Sequence, residues 1–230
     1  MTAESTQLLP ILKFVAHGKR VISLAGENGW RPGARYTNLR DVKHVQFEGV
    51  GFLDIHWKKY CFSKHVAAAR ITRPYMTVAR DIECMSQLPS ILAEARELLK
   101  FSTKVIVVPK DIRLEGQIES VIPAEFVLGY SVPTRYGGTK IHTDAFQRNV
   151  HLLGGRPDVQ RKLAHQMPVI SFDCNRFTLD AGFGDYFDGS KFKPHPEGGY
   201  EACLLASITN INAIWLDYSR PELTEEPQHG

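Results

Sequence analysis

What this sequence lacks narrows its chemistry first. Its four cysteines, Cys61, Cys84, Cys174 and Cys203, are widely spaced and form no Cys-x-x-Cys pair. That excludes a zinc ribbon and a disulfide framework and suits a reducing cytoplasm. No run approaches the ~18 apolar residues that span a bilayer, and no charged start followed by an apolar stretch and a cleavage site opens the chain. A soluble, unexported protein with no membrane partner is therefore expected. The formal net charge is only +3, too small for a protein that holds nucleic acid by bulk charge alone. Neither Gly-x-Gly-x-x-Gly nor a Gly-Lys-Ser/Thr ending is present, which removes the dinucleotide and Walker fingerprints. None of the nine histidines stands at ligand spacing from another histidine or a cysteine; His17, His44, His56 and His65 read as surface or core residues, and neither a catalytic metal nor a cofactor is expected.

What is present is enough apolar material, 43% of 230 residues, for one large α/β domain. Short β-branched runs alternate with longer segments of helical period, the pattern of βα units on a parallel sheet. Strands are predicted at Arg20 to Leu24, within Val45 to Ile55, and at Tyr75 to Ala79, Lys104 to Val108, Phe126 to Val132, Asn149 to Leu153 and Pro168 to Phe172. Helices are predicted at Ser63 to Arg70 with Ser63 as cap, Ser86 to Phe101, Asp158 to His165 and roughly Tyr200 to Tyr218. Val105-Ile106-Val107-Val108 and Phe126-Val127-Leu128 are apolar throughout, as strands buried on both faces must be. A doubly wound sheet and a barrel both meet that condition. About seven strands are legible where a barrel needs eight, so a compact or irregular (β/α)8 TIM-type barrel is expected over residues 1–220. Phe177 to Tyr200 reads as a long ordered loop, and 221–230 as a flexible polar tail.

In parallel α/β folds the reacting groups gather at the C-terminal strand ends. Asp54, Asp81 and Asp173 stand there, in Phe52-Leu53-Asp54, Val78-Ala79-Arg80-Asp81 and Val169-Ile170-Ser171-Phe172-Asp173. Carboxylates sharing one mouth raise each other's pKa and suit acid, base and nucleophile roles. The alternative is that each caps the following helix. Gly154-Gly155 before Pro157 would turn free backbone N–H groups toward the mouth, to meet an anion or carbonyl, or would be a structural tight turn. Cys174 has no His and Asn partner pattern and reads as packing.

Val150-His151-Leu152-Leu153-Gly154-Gly155-Arg156-Pro157, followed by Val169-Ile170-Ser171-Phe172-Asp173-Cys174-Asn175, resembles the Leu-Met-Gly-Val-Gly-x-Pro and Asp-Met-Phe-Asp-Cys segments of the tRNA-guanine transglycosylase superfamily. Within it the chain looks most like the phage-type, DNA-acting DpdA-like branch, over about Phe47 to Gly184. The resemblance implies a TIM barrel in which Asp173 attacks the sugar C1′ and Asp54 assists proton transfer. It implies that Asp81, in Ala79-Arg80-Asp81-Ile82-Glu83-Cys84, reads the guanine-like edge, and that the base is contacted near Gly129 and Tyr130 and at Gly154 and Gly155. The family's C-terminal Cys-x-Cys-x-x-Cys and following His are missing, so no zinc subdomain is expected. Ile55-His56-Trp57-Lys58-Lys59 replaces Ser-Gly-Gly-Phe-Gln, and the base-reading Gln has no counterpart near Pro109-Lys110.

The activity implied is exchange of guanine in DNA for a 7-deazaguanine such as 7-cyano-7-deazaguanine, in the cytoplasm (the host's, if phage-encoded), with DNA, the incoming base and accessory modification proteins as partners. A tRNA transglycosylase or N-glycosidase on the same scaffold, or an inert partner subunit, are the alternatives. Arg135, Arg176, Lys58 and Lys59 are the leading phosphate contacts, with Arg31, Arg35, Arg40, Lys191 and Lys193 behind them; Trp30, Tyr36, Trp57 and Tyr136 are candidates for stacking on bases.

Overall fold

In the computed structural model, which describes residues 9–135 and 137–221, eight parallel strands close into a barrel in sequence order. They are β1 (Leu12–Ala16), β2 (Arg31–Arg35), β3 (Phe52–Asp54), β4 (Met76–Val78), β5 (Lys104–Val107), β6 (Val127–Ser131), β7 (Val150–Leu153) and β8 (Val169–Asp173), and β8 pairs back onto β1 through Phe14 opposite Asp173. The fold is thus a (β/α)8 TIM-type barrel. Its outer layer comprises α1 (Lys19–Glu27), α2 (Phe62–Thr72), α3 (Leu88–Leu99), the single-turn α4 (Ile118–Val121), α5 (Pro157–Leu163), α6 (Arg176–Ala181) and α7 (Tyr200–Ile214). The connections after β2 and β6 carry short 3-10 turns in place of α-helices, which is where the barrel is irregular.

Residues paired across parallel strands face the same side, so the registers sort the interior. Phe14, Phe52, Met76, His151 and Ser171 fill the barrel below the mouth, with the Phe52 ring tilted against the His151 ring at 5.2 Å and against Phe14 at 5.6 Å between centres. One step further along, Arg35, Asp54, Val78, Ser131, Leu153 and Asp173 end their strands at the mouth. A bulge between Val150 and His151 shifts the β7–β8 register, so that His151 is paired with Ser171.

Several expectations are corrected. Arg20 to Leu24 is not a strand but the heart of α1, burying Val21, Ile22 and Ala25 on one face while Ser23 stays exposed. The β-branched pair misleads because i, i+1, i+4 burial is helical spacing. The two strands missed are β1 and β2; Arg-Pro-Gly-Ala-Arg in β2 has turn composition, yet its neighbours on both sides hold it in the sheet. Ser63 lies inside α2, whose cap position is Cys61 with no side-chain bond. The 177–200 segment is partly ordered into α6 and a hairpin of β9 (Asp185–Phe187) and β10 (Phe192–Pro194). The helix predicted to Tyr218 ends at Ile214; it packs on α1 and α6, and its Asn212 accepts from Lys13 Nζ and Trp30 Nε1. Residues 222–230, most of the predicted tail, lie outside the described residues.

Candidate active site

The strand ends surround a cavity of about 560 Å³, lined among others by Asp54, Asp81, Asp173, Arg35, Lys110 and Lys140, within the ~300–1,000 Å³ span of small-molecule sites. All three predicted strand-end aspartates therefore meet in one mouth. None caps a helix: the cap positions of α2 and α6 are Cys61 and Asn175, and the turn after Asp81 is capped at Cys84. The capping role falls instead to Asp111, which accepts from the Met85 and Arg113 N–H groups and is ion-paired to Arg113.

Asp173 is held at one oxygen. Gly154 N–H donates to its Oδ1 at 3.1 Å and His151 Nε2 lies 3.4 Å from the same atom. No hydrogen bond reaches Oδ2 among the described residues, which leaves that oxygen for the cavity. The backbone beneath is clamped by Gln160, fully buried, whose Nε2 donates to the carbonyls of both Asp173 (2.8 Å) and Gly154 (2.7 Å). The turn that presents the Gly154 N–H depends on glycine: Gly154 and Gly155 have φ of 60° and 87°, and a Cβ on Gly155 would run into the Val132 isopropyl group.

Asp54 faces Asp173 across the cavity. Burial, then the nearby Asp173 charge, push its carboxyl up to about 7, against the opposing pull of the Ile55 N–H at 2.8 Å and Arg35, whose Nε stands 3.5 Å from Oδ2. A carboxyl in that range can give and take a proton near neutrality. Asp81 is in a different setting: its Oδ2 lies 2.5 Å from Lys110 Nζ, which also reaches Glu83 at 3.4 Å. Burial raises the Asp81 carboxyl despite Lys110; for Lys110 burial works against the charge, but the two carboxylates outweigh it and raise its pKa. The pair presents an acceptor beside a donor, the arrangement that reads a polar heterocycle edge.

Gly154 and Gly155 line the cavity as predicted. Gly129 sits deeper, its Cβ space taken by Ile106, Val108 and Leu153, and Tyr130 points outward onto Phe146 at 5.1 Å. From β6 and the residue after it, Ser131 and Val132 reach the cavity instead. Lys58 and Lys59 are exposed on the turn after β3, with Lys58 Nζ 5.0 Å from the ring centre of Trp57, an exposed rim residue that lines the cavity. Arg135 is exposed. Arg176 is engaged by Asp180 at 2.5 Å. Arg31 belongs to the opposite end of the barrel, its guanidinium over Tyr75, so it is not a mouth contact; Arg35 is. Arg40 and Lys193 pair with Asp41 and Asp188. Trp30 and Tyr36 are buried packing residues and cannot stack on a base; Tyr136 lies outside the described residues. Cys174 is buried, its thiol 3.8 Å from the Gly155 carbonyl and pushed by burial up to about 12, so it packs and does not attack.

The sequence reading missed His151 and Gln160 as supports of Asp173, and Lys110 and Lys140 as cavity residues. The only advance signal was position: Lys110 follows a strand, and His151 stands two residues before the end of β7. Among the described residues no group of three or more His, Cys, Asp or Glu could hold a metal ion, and no helix is long and apolar enough to cross a membrane. No curated protein matches the chain. Residues 25–216, which carry seven of the eight strands and all three cavity aspartates, match DUF6610, a family of unknown function, and the chain belongs to that family.

Proposed function

We propose that this protein is a glycosyl-transfer enzyme that exchanges guanine in DNA for a 7-deazaguanine base through a covalent intermediate on Asp173. The observation that carries the reading is the pairing of Asp173, one oxygen anchored and one left for the cavity, with Asp54, a carboxyl raised to about 7. Two carboxyl groups in unlike settings are what a double displacement at a sugar carbon uses. In the first half, Oδ2 of Asp173 bonds to C1′ as the C1′–N9 bond breaks, and the departing guanine receives the Asp54 proton. In the second, the incoming base loses its N9 proton to Asp54, N9 bonds to C1′, and the aspartyl ester breaks. The exchange is balanced without water or a redox partner.

The Asp81 carboxylate suits the N1–H and amino edge of a guanine-like base, and the Lys110 ammonium suits its carbonyl or a neutral 7-substituent. Arg35 and Lys140 at the mouth, with Lys58 and Lys59 outside it, suit a phosphodiester backbone. A base inside a duplex must be flipped out to enter, at a cost of a few kcal/mol. DNA is preferred to tRNA as the polymer because the resemblance over about Phe47 to Gly184 is to the DNA-acting branch.

The test is incubation with guanine-containing duplex or single-stranded DNA, or with tRNA, together with 7-cyano-7-deazaguanine, followed by digestion and mass spectrometry of the nucleosides. The deazaguanine deoxynucleoside is expected. Guanine release without replacement would identify an N-glycosidase, label in tRNA the RNA-acting enzyme, and unchanged nucleic acid with an inactive Asp54–Asp173 pair a binding subunit.

A further inference from the structure

Among the described residues, His151 is the one titratable side chain buried within the barrel directly beneath the cavity that the reaction above does not use. It is fully buried, between Phe14 and Phe52. It reaches the interior position through the β7–β8 bulge: unbroken pairing from Val150 and Val169 would set His151 opposite Ile170, whereas the bulge sets it opposite Ser171. Bulges beside functional sites commonly re-aim one side chain in this way. The imidazole then spans two partners on β8, Nδ1 at 2.8 Å from Ser171 Oγ and Nε2 at 3.4 Å from Asp173 Oδ1.

We infer that His151 is a positioning residue for Asp173, with Ser171 setting its tautomer. The inference rests on the transglycosylase reading of Asp173. Two donors, Gly154 N–H and His151 Nε2–H, converge on Oδ1 and hold the carboxylate plane, so that Oδ2 faces the sugar carbon without a competing partner. This requires the proton on Nε2. Ser171 Oγ has two partners, His151 Nδ1 and the Met76 sulfur at 3.6 Å. A thioether is a weak acceptor, so the hydroxyl donates to a bare Nδ1 and leaves Nε2 protonated. The reverse tautomer would set a lone pair against the Asp173 oxygen. Leu153, Ile106 and Val108 fill the space beside Gly129, the residue opposite His151 on β6, so no polar group competes from that side.

The experiment follows formation of a denaturation-resistant adduct on a 5′-labelled guanine oligodeoxynucleotide, for the unsubstituted protein, Asp173→Asn, His151→Phe and His151→Gln, with Tm as a check on folding. His151→Phe should lower the limiting rate of adduct formation about 10- to 100-fold, the worth of one hydrogen bond to a charged group, while the half-saturating DNA concentration stays within about twofold. His151→Gln, which keeps a donor, should recover most of that loss. An unaltered rate in His151→Phe, or a His151→Gln variant as slow as it, overturns the assignment while leaving Asp173 in its role. Absence of any Asp173-dependent adduct in the unsubstituted protein overturns both. Should the variants fail to fold, ¹⁵N chemical shifts of the His151 ring in the unsubstituted protein still decide: a protonated Nε2 is expected, and a bare Nε2 with Nδ1–H refutes the arrangement.

Discussion

The two sides of the cavity handle negative charge in opposite ways. On the β3–β8 side, Asp54 and Asp173 oppose each other; the half-exposed Arg35 guanidinium stands 3.5 Å from Asp54, His151 and the Gly154 N–H hold one oxygen of Asp173, and burial with the like charge drives the Asp54 carboxyl up to about 7. On the β4–β5 side, Asp81 is held 2.5 Å from Lys110, and Glu83 shares the same ammonium. A carboxyl raised toward neutrality by a like charge suits proton exchange; a carboxylate paired with an ammonium suits fixed donor and acceptor contacts. In the proposed exchange the difference gives chemistry to one wall and recognition to the other, although all three aspartates line the same cavity.

The most severe way to break the comparison is Asp173→Asn, which removes the proposed nucleophile and should lower base exchange and adduct formation by at least about 10⁴-fold. Radiolabelled guanine exchange into DNA measures it. Asp54→Asn should cost about 10²- to 10⁴-fold, the usual worth of a positioned acid or base. Because the carboxyl donates in base expulsion, that step should fall as pH rises through about 7 in the unsubstituted protein; the residual rate of the variant should not follow that limb. Lys110→Met converts the recognition wall into a second like-charge wall. It should weaken binding of 7-cyano-7-deazaguanine about 10- to 100-fold, as expected when a buried polar contact is left unpaired, with a smaller effect on adduct formation from DNA guanine; calorimetric titration reads the first quantity.

The smallest expected effect is on stability. A carboxyl whose folded pKa lies near 7, above its unfolded value near 3.8, contributes fully below pH 3.8 and loses that contribution as pH rises through 7. Asp54→Asn removes this dependence. Relative to the unsubstituted protein, the variant should gain in Tm at pH 8.5, where the buried carboxylate is charged, and show no such gain at pH 4. A gain independent of pH would mean that charge at Asp54 is not the source.

Much of the fold could be read in advance because β4 to β8 are short, apolar and separated by helical or turn patterns. The first third resisted. β1 was missed, β2 was hidden because Arg-Pro-Gly-Ala-Arg has turn composition and is held in place by pairing with both neighbours, and Arg20 to Leu24 reads as a strand until its buried face is seen to follow helical spacing. In the site, Asp54, Asp81 and Asp173 were legible from strand-end position, and Gly154 and Gly155 from the turn they form. Trp30, Tyr36 and Arg31 were misread because composition does not distinguish a rim aromatic or cation from one packed in the core.

The sequence by itself determined the strand-end aspartates, the glycine turn before Pro157 and the alternation that builds a parallel barrel, because each depends on local period or on backbone freedom within a few residues. Only the tertiary structure decided that the three carboxylates share a cavity, that Lys110 neutralises one of them, that Asp54 is raised by burial and by Asp173, and that a bulge turns His151 toward Ser171 and Asp173. Those outcomes depend on barrel closure and register, which bring residues more than a hundred positions apart into one small volume.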